Sequence, residues 1–255
     1  MGVVQIVFQA IVLLGSINTF VQAVDLAKPS CQANFGKIGI PYPFGVGADC
    51  FYDDWFAISC NDTFNPPKPF LRRFNLEVLE ISLEGTVRVN YPTFSSCSNS
   101  ITKTTEIVNL TKSPFVFSQS KNSFIAIGCN IFASMKSLDG SVIAGCMFGC
   151  GKNSTEIAGS SCIGIINCCL TPIPPYIGLF NANIEPKNIS SPNFNDQACN
   201  YAVLLERKFF NSNLRYPIKS EVHVPVVLEW GIDETFYSRM MGSEWSECGK
   251  HLTSK

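Results

Sequence analysis

The chain has 255 residues, 46% of them hydrophobic and 15% charged, with a formal net charge of -1. That hydrophobic fraction excludes a disordered polymer, and the near-neutral balance excludes a global attraction to nucleic acid, anionic membrane or any other polyanion. A charged ligand has to be met by a local patch.

From Val3 to Leu14 the chain is apolar except at Gln5 and Gln9, and small and polar residues follow as far as Val21-Gln22-Ala23. The pattern predicts a signal peptide over residues 1–23, although no Lys or Arg precedes the apolar run. A run of about a dozen apolar residues is too short to span a bilayer, and every later one is broken by charge, Gly, Pro or Asn. No transmembrane span is expected, and the mature protein should be secreted. All 12 cysteines follow Ala23: Cys31, Cys50, Cys60, Cys97, Cys129, Cys146, Cys150, Cys162, Cys168, Cys169, Cys199 and Cys248. An even count in a secretory chain predicts disulfides, and no paired Cys-x-x-Cys knuckle argues for zinc. Sequons at Asn61, Asn109, Asn153 and Asn188 predict surface N-glycans.

Along the mature chain, Ile40-Pro41-Tyr42-Pro43-Phe44-Gly45 is barred from a helix by its prolines and must be extended or turning. After the cluster Asn65-Pro66-Pro67-Lys68-Pro69, Leu79, Ile81, Leu83, Val87 and Val89 alternate with Glu80, Ser82, Glu84 and Arg88. That predicts a hairpin turning at Gly85, buried on one face. A second hairpin is predicted from Phe115-Val116-Phe117 and Phe124-Ile125-Ala126-Ile127. Between Cys146 and Cys169 glycine is dense, which suits tight stapled loops. The Pro, Asn and Ser content of Thr171 to Asp196 predicts a linker or long loop. Cys199 to Phe210 reads equally as helix or strand, and Val222, Val224, Val226, Leu228 and Trp230 form a period-two stripe that Pro225 marks as an edge strand. The class is mainly β: a disulfide-rich extracellular domain of short strands and irregular loops, with a smaller C-terminal subdomain. The corresponding boundaries are 24–170, 171–196, 197–247 and a tail at 248–255.

The ordered set Gly39 to Gly45 before Cys50, Asn122-Ser123-Phe124 leading to Gly128-Cys129, Gly145-Cys146 and Cys150 resembles a known family. The series continues through Cys162, Cys168-Cys169, Pro174, Cys199 with Ala202, and Val224 to Trp230. It is similar to the galacturonan-binding ectodomain of plant wall-associated receptor kinases. Two departures stand out. Phe35-Gly36 occupies the place of a family Cys-Gly pair, which leaves the pairing around Cys31 and Cys50 open and one cysteine without its usual partner. No growth-factor-like module, membrane span or kinase follows, so the chain reads as a free-standing ectodomain, membrane-attached only if it is a truncated receptor.

The resemblance implies non-catalytic binding of acidic cell-wall polysaccharide in the cell wall or apoplast, with no cofactor and calcium entering only through the pectin. From Pro66 to Lys121 seven bases (Lys68, Arg72, Arg73, Arg88, Lys103, Lys112 and Lys121) face four acids, Glu77, Glu80, Glu84 and Glu106. This one cationic stretch supplies the candidate ligand contacts Arg72, Arg73, Arg88, Lys68, Lys103 and Lys112. Arginine leads because its planar fork grips carboxylates. Enzymatic readings have less support: no carboxylate pair stands out for glycoside hydrolysis, His223 and His251 are the only imidazole bases, and no Gly-x-Ser-x-Gly elbow occurs. A protein-interaction module, as co-receptor or decoy for receptor ectodomains, is the alternative.

Overall fold

The computed structural model describes residues 26–96, 108–128, 130–148, 168–186, 200–213 and 223–232. The predicted signal peptide, residues 149–167 of the region expected to be stapled, and the expected 248–255 tail lie outside them. In chain order the first strands are β1 (Asn34–Phe35), β2 (Ile38–Gly39), β3 (Gly45–Val46), β4 (Ala57–Asn61), β5 (Lys68–Leu71), β6 (Leu76–Ser82), β7 (Thr86–Pro92) and β8 (Phe94–Ser96). They are followed by β9 (Phe115–Phe117), β10 (Asn122–Ile127), β11 (Ile131–Lys136), β12 (Val142–Phe148), β13 (Cys168–Thr171), β14 (Asn181–Pro186), β15 (Asn200–Glu206) and β16 (His223–Trp230). One helix, α1 (Arg207–Asn213), is described.

The largest sheet has the order β3-β4-β5-β6-β7-β16-β9, beside a four-stranded sheet β13-β10-β15-β8, a three-stranded sheet β12-β11-β14 and the β1-β2 hairpin. The mainly β class holds. In the large sheet Leu71, Leu76, Val78, Val87, Val89, Val226 and Leu228 face the principal core. Phe124, Ala126, Ala202 and Leu204 of β10 and β15 join that core, while Ile125, Ile127, Val203 and Leu205 on the opposite face pack with Phe210 of α1 in a second cluster. Both faces of the four-stranded sheet are therefore covered, and Phe124 to Ile127 of β10 read as a continuous apolar run without alternation.

The first predicted hairpin forms, with Gly85 at φ 82. Its register shifts between Val78 and Glu80, so Val78 faces the core while Leu79 is half-buried and Leu83 exposed. The second hairpin does not form: β9 pairs with β16, whereas β10 pairs with β13 and β15. Nor do residues 171–186 act as a linker. Ile173 and Phe180 are buried in the core, and β14 pairs along β11. Because β15 pairs with β8 and β16 with β7, the described parts of 197–247 complete sheets begun in the N-terminal half. No separate C-terminal subdomain exists among the described residues. The Cys199–Phe210 ambiguity resolves into both states, strand β15 and then helix α1. Pro225 lies between Asn90 on one side and a stretch that β9 does not reach on the other, since β9 pairs only with Leu228 to Trp230. A proline fits there because no ladder needs its missing N–H. At Val227 a side chain replaces the missing strand: Asn122 Nδ2 donates to its carbonyl (2.7 Å) and Asn122 Oδ1 accepts from its N–H (2.9 Å).

The segment Ile40 to Gly45 is shaped by two constraints. Phe44 is buried edge-on to Phe56 at 5.1 Å and to Trp230 at 5.3 Å, which ties the N-terminal segment to the end of β16. A Cβ on Gly45 would overlap the carbonyl oxygen of Cys50, so only glycine permits that backbone crossing. The same crossing is closed by the Cys31–Cys50 disulfide, whose 19-residue separation corresponds to about 3 kcal/mol of stabilisation by restriction of the unfolded chain.

Candidate functional site

Between β5 and β6 the chain reverses: the Phe74 N–H bonds the Leu71 carbonyl at 3.2 Å, and Asn75 takes a positive φ of 52. The reversal leaves Arg72 and Arg73 adjacent and exposed. Facing them is a 3-10 turn, Asp54–Phe56, started by the Asp53 carboxylate accepting the Trp55 N–H at 2.8 Å. Both guanidinium groups converge on Asp54: Arg72 Nη2 bonds its Oδ1, and Arg73 Nη1 lies 3.1 Å from its Oδ2. Each also rests on an aromatic ring, Arg72 over Phe51 at 5.3 Å and Arg73 over Trp55 at 4.2 Å, and Trp55 is backed by the stacked ring of Phe74 at 5.6 Å. Asp53 faces the Trp55 N–H instead, so Asp54 is the one acid that bridges the two guanidinium groups on a ridge held by aromatic rings. The Asp54 bridges are half-exposed and contribute no more than about 1 kcal/mol each, so an incoming carboxylate competes with Asp54 at little cost.

The other predicted cations are not gathered on this ridge. Arg88 Nε bonds Glu206 Oε2 at 2.6 Å, with the glutamate side chain only 11% exposed, so this pair ties the large sheet to β15. Lys68 Nζ lies 2.8 Å from Glu77 Oε1 and 4.8 Å above the Phe64 ring. Lys112 is exposed, with φ 63, in a turn packed against residues 176–178, where the Leu110 N–H bonds the Gly178 carbonyl at 2.8 Å. Lys103 lies outside the described residues. The cationic stretch therefore divides into one exposed arginine pair, two bases neutralised by acids, and one separate lysine. Linear counting assigned all of them to a common face because it cannot see Asp54 or Glu206, which approach from other parts of the chain.

Two sequons are described. In each the asparagine Oδ1 accepts from the threonine two residues on: at Asn61 from the Thr63 N–H (3.0 Å) and Oγ1 (2.6 Å), and at Asn109 from the Thr111 N–H (2.9 Å) and Oγ1 (2.5 Å). The Nδ2 of each has no partner among the described residues. Asn153 and Asn188 lie outside them. Of the twelve cysteines expected to pair, Cys31 bonds Cys50, Cys146 bonds Cys169, and Cys168 is also disulfide-bonded. Cys60 departs from that expectation: its thiol is free and exposed on β4. Its cross-strand partner is Pro69, and β3 pairs only with Ala57 and Ile58, so no cysteine stands opposite it in the sheet. Partial burial, then the charge of Asp62, raises its pKa and keeps the thiol protonated. Cys97, Cys129, Cys150, Cys162, Cys199 and Cys248 lie outside the described residues.

Sequence reasoning missed Phe51, Asp54 and Trp55 as site residues. The aromatic density of Phe51-Tyr52-Asp53-Asp54-Trp55-Phe56 marks the segment, and Tyr42 and Tyr52 stay exposed, edge to face at 6.5 Å, beside it.

Residues 28–91, which hold the arginine ridge and its aromatic support, match the family described as wall-associated receptor kinase galacturonan-binding. Wall-associated receptor kinase-like 3 of Arabidopsis thaliana is 33% identical over 233 residues, which cover 81% of this chain and 30% of that protein. Wall-associated receptor kinase-like 6 is 32% identical over 227 residues, 79% of this chain and 34% of that protein, and wall-associated receptor kinase-like 10 is 28% identical over 265 residues, 88% and 33%. The chain thus spans about a third of the length of these relatives. No solved structure matches it. Residues 28–91 thus resemble the domain described as wall-associated receptor kinase galacturonan-binding, within a chain similar to wall-associated receptor kinase-like proteins over about four fifths of its length.

Proposed function

We propose that the protein binds de-esterified homogalacturonan at the plant cell wall, without catalysis, through the ridge of Arg72 and Arg73. The observation that carries this reading is the pair itself: two adjacent exposed guanidinium groups, oriented by Phe51 and Trp55, with one exposed carboxylate between them. The family description supports it by naming a galacturonan-binding domain. A planar guanidinium accepts a carboxylate through two parallel N–H bonds, and two side by side engage successive acidic residues of a polymer. Each exposed ion pair is weak, so retention depends on repeated engagement along the chain, where effective concentration does the rest. Secretion, N-glycans at Asn61 and Asn109, and calcium acting only through the ordering of pectin all belong to this reading.

The test is retention of the purified protein on immobilised polygalacturonate. Retention should fall as salt is raised, because the Debye length shortens from about 30 Å at 0.01 M to about 8 Å at physiological strength. It should fall by about tenfold, corresponding to about 1.4 kcal/mol, in R72A/R73A. Fully methyl-esterified pectin should be retained less, and no reducing ends should be released from polygalacturonate. Binding indifferent to salt, to esterification and to the double substitution would instead favour the protein-interaction reading.

A further inference from the structure

A second constellation lies on the solvent face of the large sheet. A cleft of about 260 Å³ is lined by Phe64, Lys68, Phe70, Glu77, Asn90 and His223, with Phe74 at its border. Its placement follows from register: Phe70 stands opposite Glu77, Glu77 opposite Asn90, and Pro92 opposite His223, so these residues form a patch across four neighbouring strands. The Glu77 carboxylate is held by two donors, Lys68 Nζ on Oε1 at 2.8 Å and Asn90 Nδ2 on Oε2 at 3.0 Å, and its side chain is 15% exposed. Each carboxylate oxygen retains a further lone pair, as a carboxylate has about four acceptor sites. Asn90 Oδ1 and the His223 ring have no hydrogen-bond partner among the described residues. At one side the rings of Phe64 and Phe70 stack at 6.1 Å with 26° between their planes, and Phe64 is 41% exposed.

We propose that this cleft is a subsite for one uncharged hexopyranosyl ring. With the His223 ring neutral, Lys68 and Glu77 cancel, so the cleft carries no net attraction for a uronate, and the glutamate repels one. What remains is a fixed carboxylate, amide and imidazole that exchange donors and acceptors with vicinal hydroxyls, beside an aromatic surface for the C–H face of a sugar. The volume lies just below the roughly 300–1,000 Å³ of drug-sized pockets and suits one ring rather than an oligomer. Phe74 connects the cleft to the arginine ridge, since it borders the former and stacks under Trp55, on which Arg73 rests. The occupant is therefore a methyl-esterified galacturonate within a mostly de-esterified chain: charged residues lie on the ridge, and one ester, which has lost its charge, lies in the cleft. This identification of the polymer rests on the proposed function, whereas the cleft's preference for an uncharged ring does not.

Two measurements separate the two. In calorimetric titrations of the whole protein, sparsely methyl-esterified oligogalacturonides should bind about three- to tenfold more tightly than fully de-esterified ones of equal length, the gain expected from one set of additional hydrogen bonds. F64A and N90A should abolish that preference while leaving affinity for the de-esterified chain unchanged, and R72A/R73A should weaken both ligands. No gain from sparse esterification, or a gain that persists in F64A and N90A, overturns the proposal. Should neither oligomer bind, the proposed function fails, and the cleft is then read with methyl galactopyranoside alone. This monosaccharide should shift the NMR signals of the Asn90 side-chain amide and the His223 ring in wild type and not in F64A, and unmoved signals overturn the subsite as well. Phe64 is exposed enough that its removal leaves the core intact, and circular dichroism of F64A verifies this.

Discussion

Asp54 occupies the position a ligand carboxylate would take, bridging two arginines that have no other acid among the described residues. Asp54→Asn removes an intramolecular competitor and makes the ridge more positive by one charge. Retention on polygalacturonate should therefore rise severalfold at low salt, and the gain should vanish at high salt. If binding instead falls, Asp54 is needed to orient the arginines, and the simple competition account fails. Arg88 gives the opposite result although it came from the same sequence count. Arg88→Ala leaves Glu206 nearly buried without its partner, at a cost of about 1–3 kcal/mol, and should lower the urea midpoint with no change in galacturonan retention. The two arginine types are indistinguishable in sequence because what separates them is an acid 18 residues away in one case and 118 in the other.

At the scale of elements, the turn joining β11 and β12 carries its own pH dependence. The Asp139 carboxylate accepts from the Ser137 hydroxyl and from the Ser141 N–H (2.9 Å), and these bonds hold its pKa down to about 2 from the model-compound 3.8. A carboxyl depressed on folding stabilises fully above its unfolded value and loses that contribution as pH falls toward its folded value. The turn should therefore be intact at mild acidity and loosen only between about pH 4 and pH 2, as amide exchange at Ser141 would report; loosening already at pH 5 would contradict it. The hairpin turning at Gly85 was legible because alternation and a glycine coincide locally. The hairpin proposed for residues 115–127 was not: β9 and β10 are separated by a turn of suitable composition, yet each gains more by joining a sheet whose other strands lie far along the chain. Apolar runs reveal that a strand is buried and not which strand it meets. The same limit applies at residues 171–186, where a Pro- and Asn-rich composition hides Ile173, Phe180 and the β14 pairing.

For the whole molecule, interleaving is the governing property: β16 inserts between β7 and β9 in a sheet begun at β3, and its Trp230 packs on Phe44. The segment that carries the arginine ridge is thus completed by residues far beyond 28–91. The free thiol at Cys60 has a further consequence of parity. Bonds among these 255 residues consume sulfur atoms in twos, and twelve less one is odd, so at least one other of these cysteines is expected to lack a partner among them. Alkylation of the unreduced, denatured protein should label an even number of sites per monomer, at least two and including Cys60, whereas a mass spectrum with a single adduct would show that one sulfur is tied to another molecule. The other sulfur is then either a second thiol or bonded outside these 255 residues, and the adduct count tells which.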